Sequence, residues 1–181
     1  MKRHVWLIAG VCAAFLLAGS VWLSRPAPSD AINDTALYLA WPDATHGLEP
    51  KTVYRDALSS TGIIEFGDSC SKDGNSCDSF VATVLRYSRV DPAVPCCGAA
   101  KLHSYLDGNP VLYQSIPNTG DESGLQPGDI LSNDGHTMIY VRRPDGTYGN
   151  ASASHCDRTA DYAGDIYFSD GDGQFDIYRV G

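Results

Sequence analysis

Cys77 stands where a cysteine can acquire chemistry. The run Asn75-Ser76-Cys77-Asp78-Ser79-Phe80-Val81-Ala82-Thr83-Val84-Leu85-Arg86-Tyr87 passes from loop residues to an amphipathic pattern. Ser76 is suited to cap a helix, so the run predicts a helix over 77–87 with Cys77 in its first turn. The reactive form of cysteine is the thiolate, and the unpaired N–H groups and macrodipole of a helix start favour negative charge. A nucleophile also needs a base. His136 follows Gly135 and opens the run His-Thr-Met-Ile-Tyr-Val, which predicts a strand over 136–141. At a strand edge beside the helix start it could take the thiol proton and later return it to a leaving amine. His46 and His103 lack such a setting, whereas His155, beside Cys156, is a rival to His136. The plain alternatives are that Cys77 is half of a disulfide with Cys70 and that His136 is a surface or satisfied core residue.

Both residues need elements to hold them. Phe80, Val81, Val84 and Leu85 share one helical face, which would bury the helix against a sheet. Helices are also predicted from Thr35 to Trp41, from Pro50 to Leu58 and from Ala99 to Leu106. Strand patterns follow: Val111 to Ile116, a Leu125-Gln126-Pro127-Gly128-Asp129-Ile130-Leu131 turn feeding a strand, His136 to Val141, a Pro144-Asp145-Gly146 turn, Thr147 to Ala151, and Phe175 to Val180. Along 136–141, His136, Met138 and Tyr140 would face one way and Thr137, Ile139 and Val141 the other. Helices first and antiparallel strands afterwards give an α+β fold.

Bulk properties bound the function class. Lys2, Arg3 and His4 precede 19 uncharged positions, Val5 to Leu23, long enough for a membrane anchor and long for a signal peptide. Residues 1–25 are therefore expected to be an N-terminal signal anchor or signal peptide, 26–34 a proline-bearing linker, and 35–181 one extracytoplasmic domain in the cell envelope. The net charge is −9, and because residues 1–25 carry three basic residues and no acid, the remainder carries −12. An acidic domain without a basic cluster is a poor partner for nucleic acid, which leaves the membrane as a partner only through the N-terminal segment. Outside the cytoplasm cysteines tend to pair. Cys70, Cys77, Cys96, Cys97 and Cys156 are an odd set, so one could be a reactive thiol. With Cys77 set aside, Cys70 and Cys156 would pair with Cys96 and Cys97, in an order the sequence leaves open. No metal or cofactor is expected, because the Cys and His residues lack zinc-site spacing. The absence of a CxxC motif argues against a thiol oxidoreductase.

Cys-Asp-Ser-Phe-Val, then Leu-Gln-Pro-Gly-Asp-Ile-Leu, then Gly-His-Thr-Met-Ile-Tyr-Val resembles, in order and spacing over about Asp68 to Ser152, the NlpC-type cell-wall cysteine peptidases. It is similar too to their relatives, the cysteine/histidine-dependent amidohydrolase/peptidase domains. The resemblance implies a papain-like α+β fold and cleavage of amide bonds in peptidoglycan peptides, with Cys77 as nucleophile and His136 as base. It also implies a third polar residue after the hairpin, which falls on Asn150, four residues past Gly146 and before Ala151-Ser152. An asparagine there could orient the imidazole as in Cys-His-Asn triads. Counting hairpin partners from the Asp145-Gly146 turn instead favours His155. The oxyanion would be held by the Cys77 backbone N–H and a donor such as Ser76. Ser76 and Asp78 stand where the family has an aspartate and a serine-glycine pair, and the Asp78 charge would oppose a thiolate. A second reading is an inactive envelope scaffold of the same fold, with structural disulfides.

Overall fold

The computed structural model describes residues 26–43, 45–46, 49–63, 76–153 and 159–181. The expected N-terminal segment, along with Cys70, His155 and Cys156, lies outside the described residues. Among the described residues no helix is long and apolar enough to cross a membrane.

Among the described residues four helices come first. α1 spans Pro28–Leu39, α2 Thr52–Ser60, α3 Cys77–Tyr87 and α4 Ala99–Asp107. The boundaries of α3 are those the sequence predicts. α1 corrects an expectation, because most of the stretch taken as a linker, from Pro28 onward, is helix. Proline sits in its first turn, where no N–H is needed, and Asp30 lies in the same turn. Ile32, Ala36 and Leu39 then form one fully buried stripe. The ordered domain thus begins before residue 35.

Eight strands follow: β1 Tyr113–Ile116, β2 Ile130–Ser132, β3 Thr137–Arg142, β4 Tyr148–Ala153, β5 Ala160–Gly164, β6 Ser169–Asp170, β7 Gly173–Gln174 and β8 Asp176–Val180. Six form one antiparallel sheet in the order β1-β8-β2-β3-β4-β5, and β6 and β7 make a small separate hairpin. The architecture is α+β.

The strand alternation in β3 separates two cores. Ile139 and Val141 pack with Phe80, Val81, Val84 and Leu85 of α3 in the main core between helices and sheet. Met138 and Tyr140 join Leu131, Phe175 and Ile177 on the other face, with Ile166 and Phe168 packed against them. α3 is buried from Cys77 through Leu85, and each large apolar side chain in it contributes about 1.5–3 kcal/mol by leaving water.

The Pro127-Gly128-Asp129 turn is fixed from two sides, by α1 and by β8. Gly128 has φ +94°, and a Cβ there would run into the Ser29 backbone of α1, so only glycine fits. Asp129 is fully buried. Its Oδ1 accepts from Arg179 Nε at 2.8 Å and its Oδ2 from Arg179 Nη2 at 2.6 Å, a two-point clasp between the turn and β8.

Candidate active site

Cys77 and His136 share one cleft of about 320 Å³, lined also by Ser76, Asp78, Gly98, Ala99, Gly135 and Ala153. Each arrives there by local chemistry.

At the start of α3, Ser76 is extended and its carbonyl accepts the first helical N–H, from Phe80 at 3.1 Å. Its hydroxyl does not cap an amide. It donates to Asp78 Oδ1 at 2.5 Å and lies 2.9 Å from Ser79 Oγ. Asp78, only 2% exposed, accepts the Gly98 N–H on Oδ2 at 2.8 Å. That bond ties α3 to the start of α4, and it gives a structural reason for an aspartate where its charge would oppose a thiolate at Cys77.

Cys77 carries a free thiol, so the disulfide with Cys70 considered as the plain alternative is not formed. Cys96 is disulfide-bonded, and its sulfur accepts from Ser79 Oγ at 3.4 Å. Cys97, expected to pair, is instead a free, half-buried thiol. Neighbouring side chains diverge, and it is Cys96 that is aimed at α3.

His136 closes a two-residue hairpin between β2 and β3. Asn133, 4% exposed, holds the turn: its Oδ1 accepts the N–H of Gly135 at 3.0 Å and of His136 at 2.8 Å. Its Nδ2 donates to Asp170 Oδ1 at 2.8 Å in the β6–β7 hairpin. A Cβ on Gly135 would meet the Asp172 side chain, which would have to shift to admit it. The His136 ring stacks on Tyr167, with centroids 6.2 Å apart and planes 15° apart, and meets the edge of Phe175 at 6.3 Å.

The electrostatics reverse one expectation. Burial, and then the Asp78 charge, push the Cys77 thiol above its ordinary value. The N–H groups of Thr137, Asp78 and Cys77 pull the other way without prevailing. Burial likewise holds His136 below the usual 6.5, with Asp170 opposing it. Desolvation outweighs the helix start, so the resting pair is neutral thiol and neutral imidazole, not thiolate and imidazolium. A reaction that uses neutral His136 as its base should show its acid limb only below pH 6.5. A pH profile of kcat/KM measures this; a decline already complete at pH 7 would contradict it.

The third residue is not where Asn150 would put it. Asn150 pairs across the sheet with Tyr140, four residues beyond His136, a run of about 13 Å at ~3.3 Å per residue. Its Nδ2 donates to the Asp165 carbonyl at 2.5 Å, and its amide packs on Gly164. It ties β4 to the end of β5 and the residue that follows it. Asn150→Ala should therefore cost about 1 kcal/mol of stability by removing this buried bond and leave hydrolysis within about threefold. A hundredfold loss of kcat at unchanged stability would restore it to the catalytic set.

Asp170, Asn133 and Tyr167 surround His136 instead, and none of them was anticipated. The Asn133-Asp134-Gly135 run is turn chemistry and could have been found. Tyr167 and Asp170 reach the histidine across some 30 residues of chain, with no periodic signal to announce them.

Among the described residues no group of three His, Cys, Asp or Glu side chains could hold a metal ion. Comparisons of the chain with family models, with curated proteins and with solved structures give no match.

Proposed function

We propose that this domain is a cysteine hydrolase that cleaves amide bonds in peptidoglycan peptides, on a papain-like arrangement of nucleophile helix and antiparallel sheet. One observation carries the reading. A free thiol at the N-terminus of a buried helix shares a cleft with a histidine at the head of β3. The peptidoglycan substrate and the envelope location rest on the sequence resemblance.

In the proposed reaction neutral His136 takes the Cys77 proton as the sulfur bonds to the carbonyl carbon. The oxyanion forms at the helix start, where the Cys77 backbone N–H and Ser76 are the nearest candidate donors. The imidazolium returns its proton to the nitrogen as the C–N bond breaks, releasing an amine and leaving a thioester. His136 then deprotonates a water molecule, which releases the carboxylate and restores the thiol.

The test is to incubate the protein with purified cell wall and isolated stem peptides and analyse products by mass spectrometry. Paired fragments bearing a new amine and a new carboxylate are expected. His136→Ala should lower their formation by about 10²–10⁴-fold. Equal product from wild type and His136→Ala would remove the reading.

A further inference from the structure

We propose that His103 is a positioning residue that sets the spacing between Cys77 and His136 by making α4 a strut between their two supports. This inference rests on the hydrolase reading above. The strut has two attachments. At its start, the Gly98 N–H is bonded to Asp78, beside the nucleophile. One turn further, His103 Nδ1 lies 3.0 Å from Asp134 Oδ1 in the turn that carries His136, and its Nε2 lies 2.9 Å from Asp176 Oδ2 at the start of β8.

Carboxylates only accept hydrogen bonds, and a neutral imidazole has one N–H. Both contacts can be hydrogen bonds only when the ring is an imidazolium, so the strut is complete only when His103 is charged. The charged and titratable groups facing the ring are Asp134 from the hairpin, and Asp176 and Tyr178 from β8, with the Tyr178 ring edge-on at 6.2 Å. Asp107 accepts from the Tyr178 hydroxyl at 2.9 Å, and Lys101 shares α4. Burial lowers the His103 pKa, but the two carboxylates outweigh it and leave it raised above 6.5. With the folded pKa above the unfolded one, the clamp's stabilisation is complete below pH 6.5 and is lost as pH rises through the folded value. His136 is shifted the other way, so activity should have an acid limb below pH 6.5 and an alkaline limb above it.

The experiment combines NMR titration of the histidine rings with pH profiles of hydrolysis in the full chain, for wild type, Asp134→Asn and His103→Gln. Asp134 is largely exposed, so Asp134→Asn should fold, which a thermal melt checks. In wild type His103 should titrate above pH 6.5, the His136 ring signals should move in step with it, and kcat should fall across the same range with little change in KM. In Asp134→Asn that alkaline limb should vanish, with kcat near pH 6.5 lower by about tenfold. A His103 titrating at or below 6.5, or His136 signals indifferent to it, would overturn the proposal. So would an Asp134→Asn profile identical to wild type, which would leave the hydrolase reading intact. Ring coupling in a protein that cleaves nothing would support the strut and count against the hydrolase.

Discussion

Cys77→Ala should abolish hydrolysis, with a fall in kcat of about 10⁴-fold or more, while the domain stays folded. The magnitude follows from the chemistry: without the sulfur no thioester forms, and His136 alone is a base with nothing to activate except water. Cys77 borders the cleft, and its replacement by alanine removes a single heavy atom, so the fold should tolerate it. Cys77→Ser should be nearly as inactive, because an alcohol in this setting has only one neutral imidazole to deprotonate it. Steady-state rates on a purified peptide, alongside circular dichroism of the variant, give the answer. A loss of only a few-fold in a folded Cys77→Ala would mean that the cleft works by another route.

The largest effect on stability is expected at the Asp129–Arg179 clasp. Asp129 is fully buried, and it also accepts the Gln126 N–H at 2.8 Å. Arg179 further donates to the Gly124 carbonyl at 2.7 Å. Asp129→Ala leaves the Arg179 guanidinium, 20% exposed, and the Gln126 N–H without their shared acceptor, at a cost of about 3 kcal/mol. Removing both partners together, as Asp129→Leu with Arg179→Leu, should cost clearly less than the sum of the single changes, because no charge is then stranded. Urea unfolding at pH 7 measures both. A single-variant cost under about 1 kcal/mol would mean that the pair is solvated and the turn is held by its other contacts.

The features legible in the sequence were those set by neighbours in the chain. Helix α3 could be read because Ser76 marks its start and Phe80, Val81, Val84 and Leu85 repeat at helical spacing. The two faces of β3 could be read because strand alternation is strict, and the sorting of Met138 from Ile139 into opposite cores follows it. Pro28 misled because proline serves linkers and helix starts equally well, and only the burial of Ile32 decides between them. Asn150 follows from the family's spacing past Gly146, whereas the ladder pairs it with Tyr140 and runs on toward the cleft beyond it. Strand β5 was invisible: Ala-Asp-Tyr-Ala-Gly has little strand character of its own. It is held in part by Arg143, whose guanidinium donates to the carbonyls of Tyr162, Ala163 and Gly164 at 2.8, 3.0 and 2.7 Å. The thiol's direction of shift was also beyond the sequence, since it depends on how deeply the helix start is buried.

The central claim is that the Cys77 sulfur does the chemistry. Partial alkylation with iodoacetamide, quantified at each cysteine by peptide mass spectrometry, tests it without altering the fold by mutation. Labelling of Cys77 should be slow at neutral pH and should accelerate above the ordinary thiol range, as its raised pKa requires. Residual hydrolysis should fall in direct proportion to the fraction of Cys77 labelled and be indifferent to labelling of Cys97. Hydrolysis that survives full modification of Cys77, or that follows Cys97 instead, would contradict the account.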